Sequence, residues 1–321
     1  MIRKLVALVA TVLAVALAPL AASAQAWPRG MTVNVVVPLA AGDGGDITAR
    51  TMADALGKEL GAPVVVTNRP GAGGALGVQS VITAKKDGST VLFTQNSPLT
   101  LRRVLDPAAA NYDPAKDLVP LGISTRTPSV LVVRKDAPFQ SFQELVAYAK
   151  KNPGKVRIGT AGPGSAGDLS VQLVNSMAGT DLGSIPYKGA APAVTDVIGG
   201  QVEGVILALG ALSSHIKAGT LKAIAISNPF PELPDVPTLT KLGYRQDLLG
   251  VWFAWMLPAG TPPEVAQALA PALQKVTQDP VVSARLLPMG IVQEWEPAPA
   301  LASQITREFD TVTQLAGKLR K

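Results

Sequence analysis

Two glycine-rich stretches carry the residue types from which an anion site can be built. Gly42-Asp43-Gly44-Gly45-Asp46 follows an apolar run that ends at Pro38, and Gly162-Pro163-Gly164-Ser165-Ala166-Gly167 has the same context. Backbone N–H groups at a helix start have no partner within the helix, and the helix dipole favours negative charge there. Glycines let a ligand come close to the backbone. The chemistry on offer is non-covalent capture of a small anion. The plainer alternative is that both stretches are only tight strand-to-helix turns. The second stretch also fits G-x-G-x-x-G, but Pro163 is foreign to a dinucleotide fingerprint, and no acidic residue ends a strand about 20 residues further on.

Groups for covalent or metal chemistry are scarce. Ser165 misses the G-x-S-x-G nucleophile elbow because position 163 is proline. The single His215 excludes a two-histidine metal site. Its neighbours Ile216-Lys217-Ala218-Gly219 read as a helix end, where a histidine complements the dipole. Asp43 and Asp46 lack the spacing of a calcium loop. The absence of cysteine removes disulfides, thiolate sites and a cysteine nucleophile. No catalytic residue, metal or cofactor is expected.

The elements that must position the two turns alternate strand and helix. Val33 and Val35–Val37 read as a buried strand, Asp46 opens a helix over Ile47–Leu60, and strands follow at Val64–Val66 and Thr90–Thr94 with a helix near Leu76–Ala84 between them. The pattern recurs with strands at Val130–Val133 and Val156–Thr160 and helices at Phe142–Lys151 and Asp168–Met177. Leu221–Ser227 and Gly250–Met256 read as further strands, and Pro262–Thr277 and Ala300–Leu319 as helices. Such alternation argues for α/β architecture with mostly parallel sheets flanked by helices. Two similar lobes joined by strand-like crossovers, near Ser124–Ser129 and Leu249–Phe253, give the simplest layout. Residues 25–125 and 250–321 would form lobe 1 and residues 126–249 lobe 2, with the cleft between them. Trp252 and Trp255, if on one strand, point to opposite faces.

The N-terminus reads as an export signal. Arg3 and Lys4 precede the apolar Leu5–Leu17, and Ala22-Ser23-Ala24 offers a small-x-small cleavage site, so the mature chain would begin near Gln25. A core this short, ended by Pro19, does not suit a membrane span. Without a cysteine the product cannot be lipidated there, and a soluble periplasmic protein is expected. About 297 mature residues can bury a sufficient core without disulfides. Removing Arg3 and Lys4 from the 29 basic residues leaves 27 against 23 acidic, a balance of +4. Basic residues are not clustered and aromatics make up only 4%, which argues against nucleic-acid binding.

Several ordered motifs resemble the periplasmic solute-binding proteins of tripartite tricarboxylate transporters, the Bug or TctC-like family. They are Val37-Pro38, Gly42 and Asp46-Ile47-Thr48-Ala49-Arg50, then Asn68-Arg69-Pro70-Gly71-Ala72-Gly73-Gly74 and Tyr112-Asp113-Pro114-Ala115-Lys116-Asp117. Glu144–Gly154, Pro186-Tyr187-Lys188-Gly189, Asp196, Gly199-Gly200-Gln201, Leu233–Thr238 and Pro258-Ala259-Gly260-Thr261-Pro262 complete the set across nearly the whole mature chain. The resemblance implies a two-lobed Venus-flytrap receptor of type II. It would close on a small organic acid and pass it to inner-membrane transporter subunits, acting as a monomer. It also implies that two turns grip a carboxylate through backbone N–H groups and water. Here these would be Pro38, Leu39, Ala41, Gly42, Asp43, Gly44, Gly45 and Asp46 in the first turn, and Gly162, Gly164, Ser165, Ala166 and Asp168 in the second. Thr94, Asn96, Ser97 and Tyr187 would line the same cleft, although Tyr187 also suits a core position.

Two departures bear on the ligand. Where the family has a phenylalanine, two prolines and glycines, this chain has Leu39-Ala40-Ala41-Gly42-Asp43, and Asp168 stands where the family has histidine. Carboxylates beside an anion site repel the ligand unless turned away, protonated or paired. The expected ligand is therefore a monocarboxylate with an amino or hydroxyl group rather than citrate, unless Asp168 simply caps its helix. Competing readings are a receptor that presents its ligand to a membrane sensor protein, and a periplasmic hydrolase using Ser165 and His215.

Overall fold

The computed structural model describes residues 27–28, 30–187 and 189–319, so the export signal expected over residues 1–24 lies outside the described residues. Two sheets organise the chain. The first contains β1 (Val33–Val37), β2 (Val64–Asn68), β3 (Thr90–Gln95), β4 (Leu118–Thr127), β10 (Val251–Pro258) and β11 (Val292–Pro297), in the order β11-β4-β10-β3-β1-β2. The second contains β5 (Ser129–Arg134), β6 (Arg157–Thr160), β7 (Gly183–Pro186), β8 (Gly204–Ala208) and β9 (Leu221–Ile226), in the order β7-β6-β8-β5-β9. This is a two-lobed α/β architecture.

β1 shows why an unbroken apolar run marks a central strand. Val35 and Val37 pack with Met52, Leu56 and Trp255 on one face. Val36 packs with Val78, Leu92 and Ala254 on the other. Helices cover both faces, so alternation is not needed. β1 pairs in parallel with β2 and β3, as strand-helix-strand units require. β10 instead runs antiparallel to both β3 and β4, and β5 runs antiparallel to β8 and β9. The expected parallel arrangement thus holds for the strand-helix-strand parts, while each sheet as a whole is mixed. The cause is the strands that pass between halves, which return against the direction of their neighbours.

Those passages are short. β4 ends at Thr127, and only Pro128 separates it from β5 in the other sheet. The return runs from β9 to β10 through Ser227–Gly250. The two passages are tied to each other: the Ser129 N–H donates to Ser227 Oγ at 3.0 Å, and the Ser227 N–H donates to the Ser129 carbonyl at 2.9 Å. Trp252 and Trp255 do face opposite ways on β10, and both are fully buried. Their indole N–H groups donate to Glu308 Oε2 at 2.7 Å and Ser124 Oγ at 2.9 Å.

The helices that follow the two turns begin earlier than their apolar periodicity suggests. They span Gly44–Leu60 and Ala166–Ala178, with Asp43 and Ser165 as N-caps. Gly167 is required by packing: a Cβ there would lie 2.3 Å from the Ile206 carbonyl oxygen. Backbone cannot yield as a side-chain tip can, and such overpacking costs about 1–3 kcal/mol. Gly167→Ala should therefore lower unfolding stability in urea by that amount. Gly317→Ala, whose Cβ meets open space on the last helix (Ala298–Leu319), should leave it unchanged or slightly raised.

Candidate functional site

The two turns share one plan and differ in the bond that the cap accepts. Gly42, at φ +84°, precedes the cap Asp43, and Gly164, at φ +68°, precedes the cap Ser165. Positive φ explains a glycine at each place. Asp43 accepts from the Gly45 N–H at 3.0 Å, and Ser165 Oγ from the Asp168 N–H at 3.3 Å. The third helical residue then reaches back over the turn. Asp46 accepts from the Gly42 N–H at 2.9 Å, and Asp168 from the Gly164 N–H at 2.8 Å. This is a capping box displaced by one residue, since the returning bond goes to the residue before the cap.

Both aspartates are further satisfied on the protein side. Asp46 is 3% exposed and accepts from Asn68 Nδ2 at 2.9 Å and Arg50 Nε at 3.1 Å. Asn68 Nδ2 also reaches the Leu39 carbonyl at 3.1 Å, so the first residue of the Asn68–Gly74 motif pins the first turn. Burial alone would raise the Asp46 carboxyl, but bonds from Arg50, the Gly42 N–H and Asn68 outweigh it and hold the group below its ordinary value. Asp168 accepts from the Ser184 hydroxyl as well. Neither carboxylate is without donors of its own; Asp43 is the cap of its helix, while Asp168, expected as a possible cap, instead sits at the third helical position behind the cap Ser165.

A cavity of about 510 Å³ lies between the halves. It gathers Asn96, Ser97, Gly162, Gly164, Ser165, Ala166 and Tyr187 from the expected set. Pro38, Leu39, Ala41, Gly42, Asp43, Gly44, Gly45, Asp46 and Asp168 do not line it. Thr94 also lies away from it, wholly buried on β3 with its hydroxyl on the Gln95 carbonyl at 3.1 Å. The expected pair of opposed turns is thus represented here by one turn only. The other wall comes from the segment after β3. Tyr187 is both core and lining: its ring covers Gly159, and its hydroxyl donates to Asp196 Oδ2 at 2.6 Å. Burial and that bond push its phenol up to about 12.

The sequence reading missed Arg102. It lines the cavity, and no ion-pair partner is recorded for it among the described residues. Its neighbour Arg103 is engaged with Asp113 at 3.6 Å, the Tyr112 carbonyl at 3.1 Å and the Phe309 ring at 4.4 Å. Arg102 lies across the backbone of Gly73, where a Cβ would sit 2.2 Å from its Nε. The sequence offered no local signal for it, since it sits inside the short Leu101–Leu105 helix, well beyond the end of β3. At the second wall, the N–H groups of Ala166 and Gly167 fall among the unpartnered donors of a helix start. Arg102 and Ala166 line one space, and a guanidinium with helix-start donors is chemistry suited to an anion.

Behind Asn96 is a buried carboxyl. Glu308 Oε1 accepts from Asn96 Nδ2 and the Thr100 hydroxyl, each at 2.7 Å, while Oε2 accepts from Trp252. Burial pushes Glu308 above the ordinary carboxylate range, against the opposing pull of those three donors. A larger hollow of about 610 Å³ opens behind the crossing strands. Its Arg126 is already paired with Glu294 and Glu296, and its Asp247 with Thr240.

The profile of the tripartite tricarboxylate transporter family receptor matches residues 48–311. The chain belongs to that receptor family. BugT of Bordetella pertussis is 34% identical over 304 residues, covering 93% of this chain and 91% of BugT. The crystal structure of a TctC solute binding protein from Polaromonas has a TM-score of 0.83 at 27% identity, covering 91% of this chain and 99% of that one. MatC from Rhodopseudomonas palustris, solved with bound malate, has a TM-score of 0.70 at 29% identity, covering 89% and 99%. The receptor is a solute-binding protein, not an enzyme. Ser165 caps a helix, and His215 sits in the last turn of the Ser213–Lys217 helix. Among the described residues, no helix is long and apolar enough to cross a membrane.

The Asp46 cluster makes this receptor's stability depend on acid pH. The folded-state value lies below the ordinary 3.8, so the stabilisation is present above pH 3.8 and is lost as pH falls through the lower folded value. Asp46→Asn should cost about 2–3 kcal/mol at pH 7, the scale of lost charged hydrogen bonds. Its deficit against the parent should shrink in urea unfolding at pH 3.

Proposed function

We propose that this chain is a periplasmic receptor that captures a small organic acid between its halves and delivers it to an inner-membrane tripartite tricarboxylate-type transporter. The observation that carries the reading is the shared cavity, in which Arg102 from one half faces the start of the Ala166–Ala178 helix from the other. The guanidinium and the helix-start N–H groups take the carboxylate. Ser97 and the Tyr187 ring complete the walls. The family match and the malate held by MatC support an organic acid as the ligand class. The signal over residues 1–24 supports export.

In this reading residues up to 125 and from 250 onward move as one lobe and residues 126–249 as the other. The Pro128 passage and the Leu249–Gly250 return are the places where the chain bends. The Ser129–Ser227 bonds keep the two passages moving together. The receptor acts as a monomer.

Isothermal titration tests this directly. At least one short organic acid among citrate, succinate, malate and aspartate should bind the wild-type protein. Arg102→Leu should weaken it at least tenfold, about 1.4 kcal/mol, because a partly desolvated charge pair is worth more than a surface one. Unchanged affinity in Arg102→Leu would remove the guanidinium from the site, and no binding by any acid would remove the function.

A further inference from the structure

Asn96 is the first residue after β3, is 3% exposed, and still lines the cavity. Its side-chain NH₂ group is fully committed away from that space. One hydrogen goes to the Gly250 carbonyl at 3.1 Å, on the return passage, and the other to Glu308 Oε1 at 2.7 Å. The first partner is an acceptor whatever its surroundings, so it fixes which end of the amide is nitrogen. A flipped amide would set Oδ1 against a carbonyl and a carboxyl oxygen in a buried place. Glu308 cannot swing aside to permit this, because Thr100 and Trp252 hold its two oxygens at 2.7 Å each. Oδ1 accepts none of these bonds and is not among the buried polar atoms left without a partner.

We infer that Asn96 presents a fixed hydrogen-bond acceptor, Oδ1, to the ligand, and that the receptor therefore selects organic acids carrying a hydroxyl or ammonium donor next to the carboxylate held by Arg102. Glu308 is the positioning residue that sets this preference without touching the ligand. The inference rests on the receptor reading above and narrows its ligand class. It also gives the preference for hydroxy or amino acids a ground other than repulsion by Asp43 and Asp168. An unsubstituted chain puts CH₂ against Oδ1, which then loses its water without gaining a donor. A second carboxylate oxygen there meets acceptor with acceptor. Sites that pair with a ligand hydroxyl discriminate against the analogue lacking it far better than apolar sites discriminate by size.

Matched trios of acids form the test: propionate, lactate and alanine; succinate, malate and aspartate; glutarate, 2-hydroxyglutarate and glutamate. Each is titrated calorimetrically into the wild type, Asn96→Ala and Glu308→Gln, with circular dichroism melts to confirm folding. In the wild type, the tightest-binding trio should favour a substituted member over its unsubstituted partner by at least about tenfold, the scale of one net hydrogen bond. Asn96→Ala should bring that ratio to within about threefold. Glu308→Gln, which offers one donor and one acceptor where two acceptors stood, should also lower the ratio. An unsubstituted acid that binds the wild type as tightly as its partners overturns this inference alone and needs no variant to do so. A ratio that survives in folded Asn96→Ala overturns it too, and one that survives in Glu308→Gln overturns the positioning role. If none of the nine acids binds the wild type, the inference fails, and if citrate does not bind either, the receptor reading fails with it.

Discussion

Each turn places a glycine N–H at positive φ where neither strand nor helix can pair it, and the local architecture depends on how that donor is satisfied. A polar backbone group left unpaired costs about 1–3 kcal/mol. In both halves the answer is an aspartate at the third helical position, Asp46 over Gly42 and Asp168 over Gly164. The bond closes only if the helix has already started at Gly44 or Ala166, so turn geometry and helix start form together. The carboxylate also sits at the positive end of the helix dipole, which favours it further. This leaves the ligand the donors further along the helix start rather than the apex of the turn. At the second turn the helix start lines the cavity through Ala166.

A second constraint reaches across the chain. Glu308, on the last helix, meets Asn96 from 212 positions away and Trp252 on β10 in the same small volume. A buried carboxyl tolerates such a place only with its lone pairs occupied. Asn96 and Thr100 on the segment after β3, Trp252 on the strand returning from the second half, and Gln304 on the last helix itself do this. The Gly250 carbonyl beside them belongs to the return itself. Cavity wall, last helix and inter-lobe passage are therefore joined by one polar cluster. Rearranging any member would leave a buried group unpaired.

The sequence disclosed the architecture wherever a single physical signal dominated. Valine runs marked β1 and β5 because those strands are covered on both faces, whereas the caps Asp43 and Ser165 lie three residues before Asp46 and Asp168, where the sequence pattern opens the helices. β4 stayed hidden because Pro120 and Gly122 interrupt it. Both have reasons visible only in three dimensions: Pro120 lies at a register shift against β10, and a Cβ on Gly122 would lie 2.6 Å from the Glu296 carbonyl oxygen. β11 was hidden because Gln293, Glu294 and Glu296 make an edge strand polar. At the site, Asn96, Ser97 and the Gly162–Ala166 turn were legible from their places at the ends of β3 and β6. Arg102 and Glu308 were not, since neither belongs to a local pattern. One has no ion-pair partner among the described residues, and the other is defined by partners distant in sequence.

The charge balance at the cavity also differs from what composition near the turns suggests. Asp43 and Asp168 look like negative charges beside an anion site, yet each binds donors of its own: the Gly45 N–H for Asp43, and the Gly164 N–H with the Ser184 hydroxyl for Asp168. Such pairing spreads the carboxylate charge onto neighbouring dipoles and weakens its field across the gap. The potential felt by a ligand is then set by Arg102 and the start of the Ala166–Ala178 helix. Arg103, which could have doubled the positive charge, faces Asp113 and Phe309 instead. Among the described lining residues, Arg102 is the single charged side chain, which matches a single carboxylate in the proposed ligand. Whatever the rest of the ligand carries must be recognised by neutral groups, and of these the amide of Asn96 is held in one orientation by its surroundings.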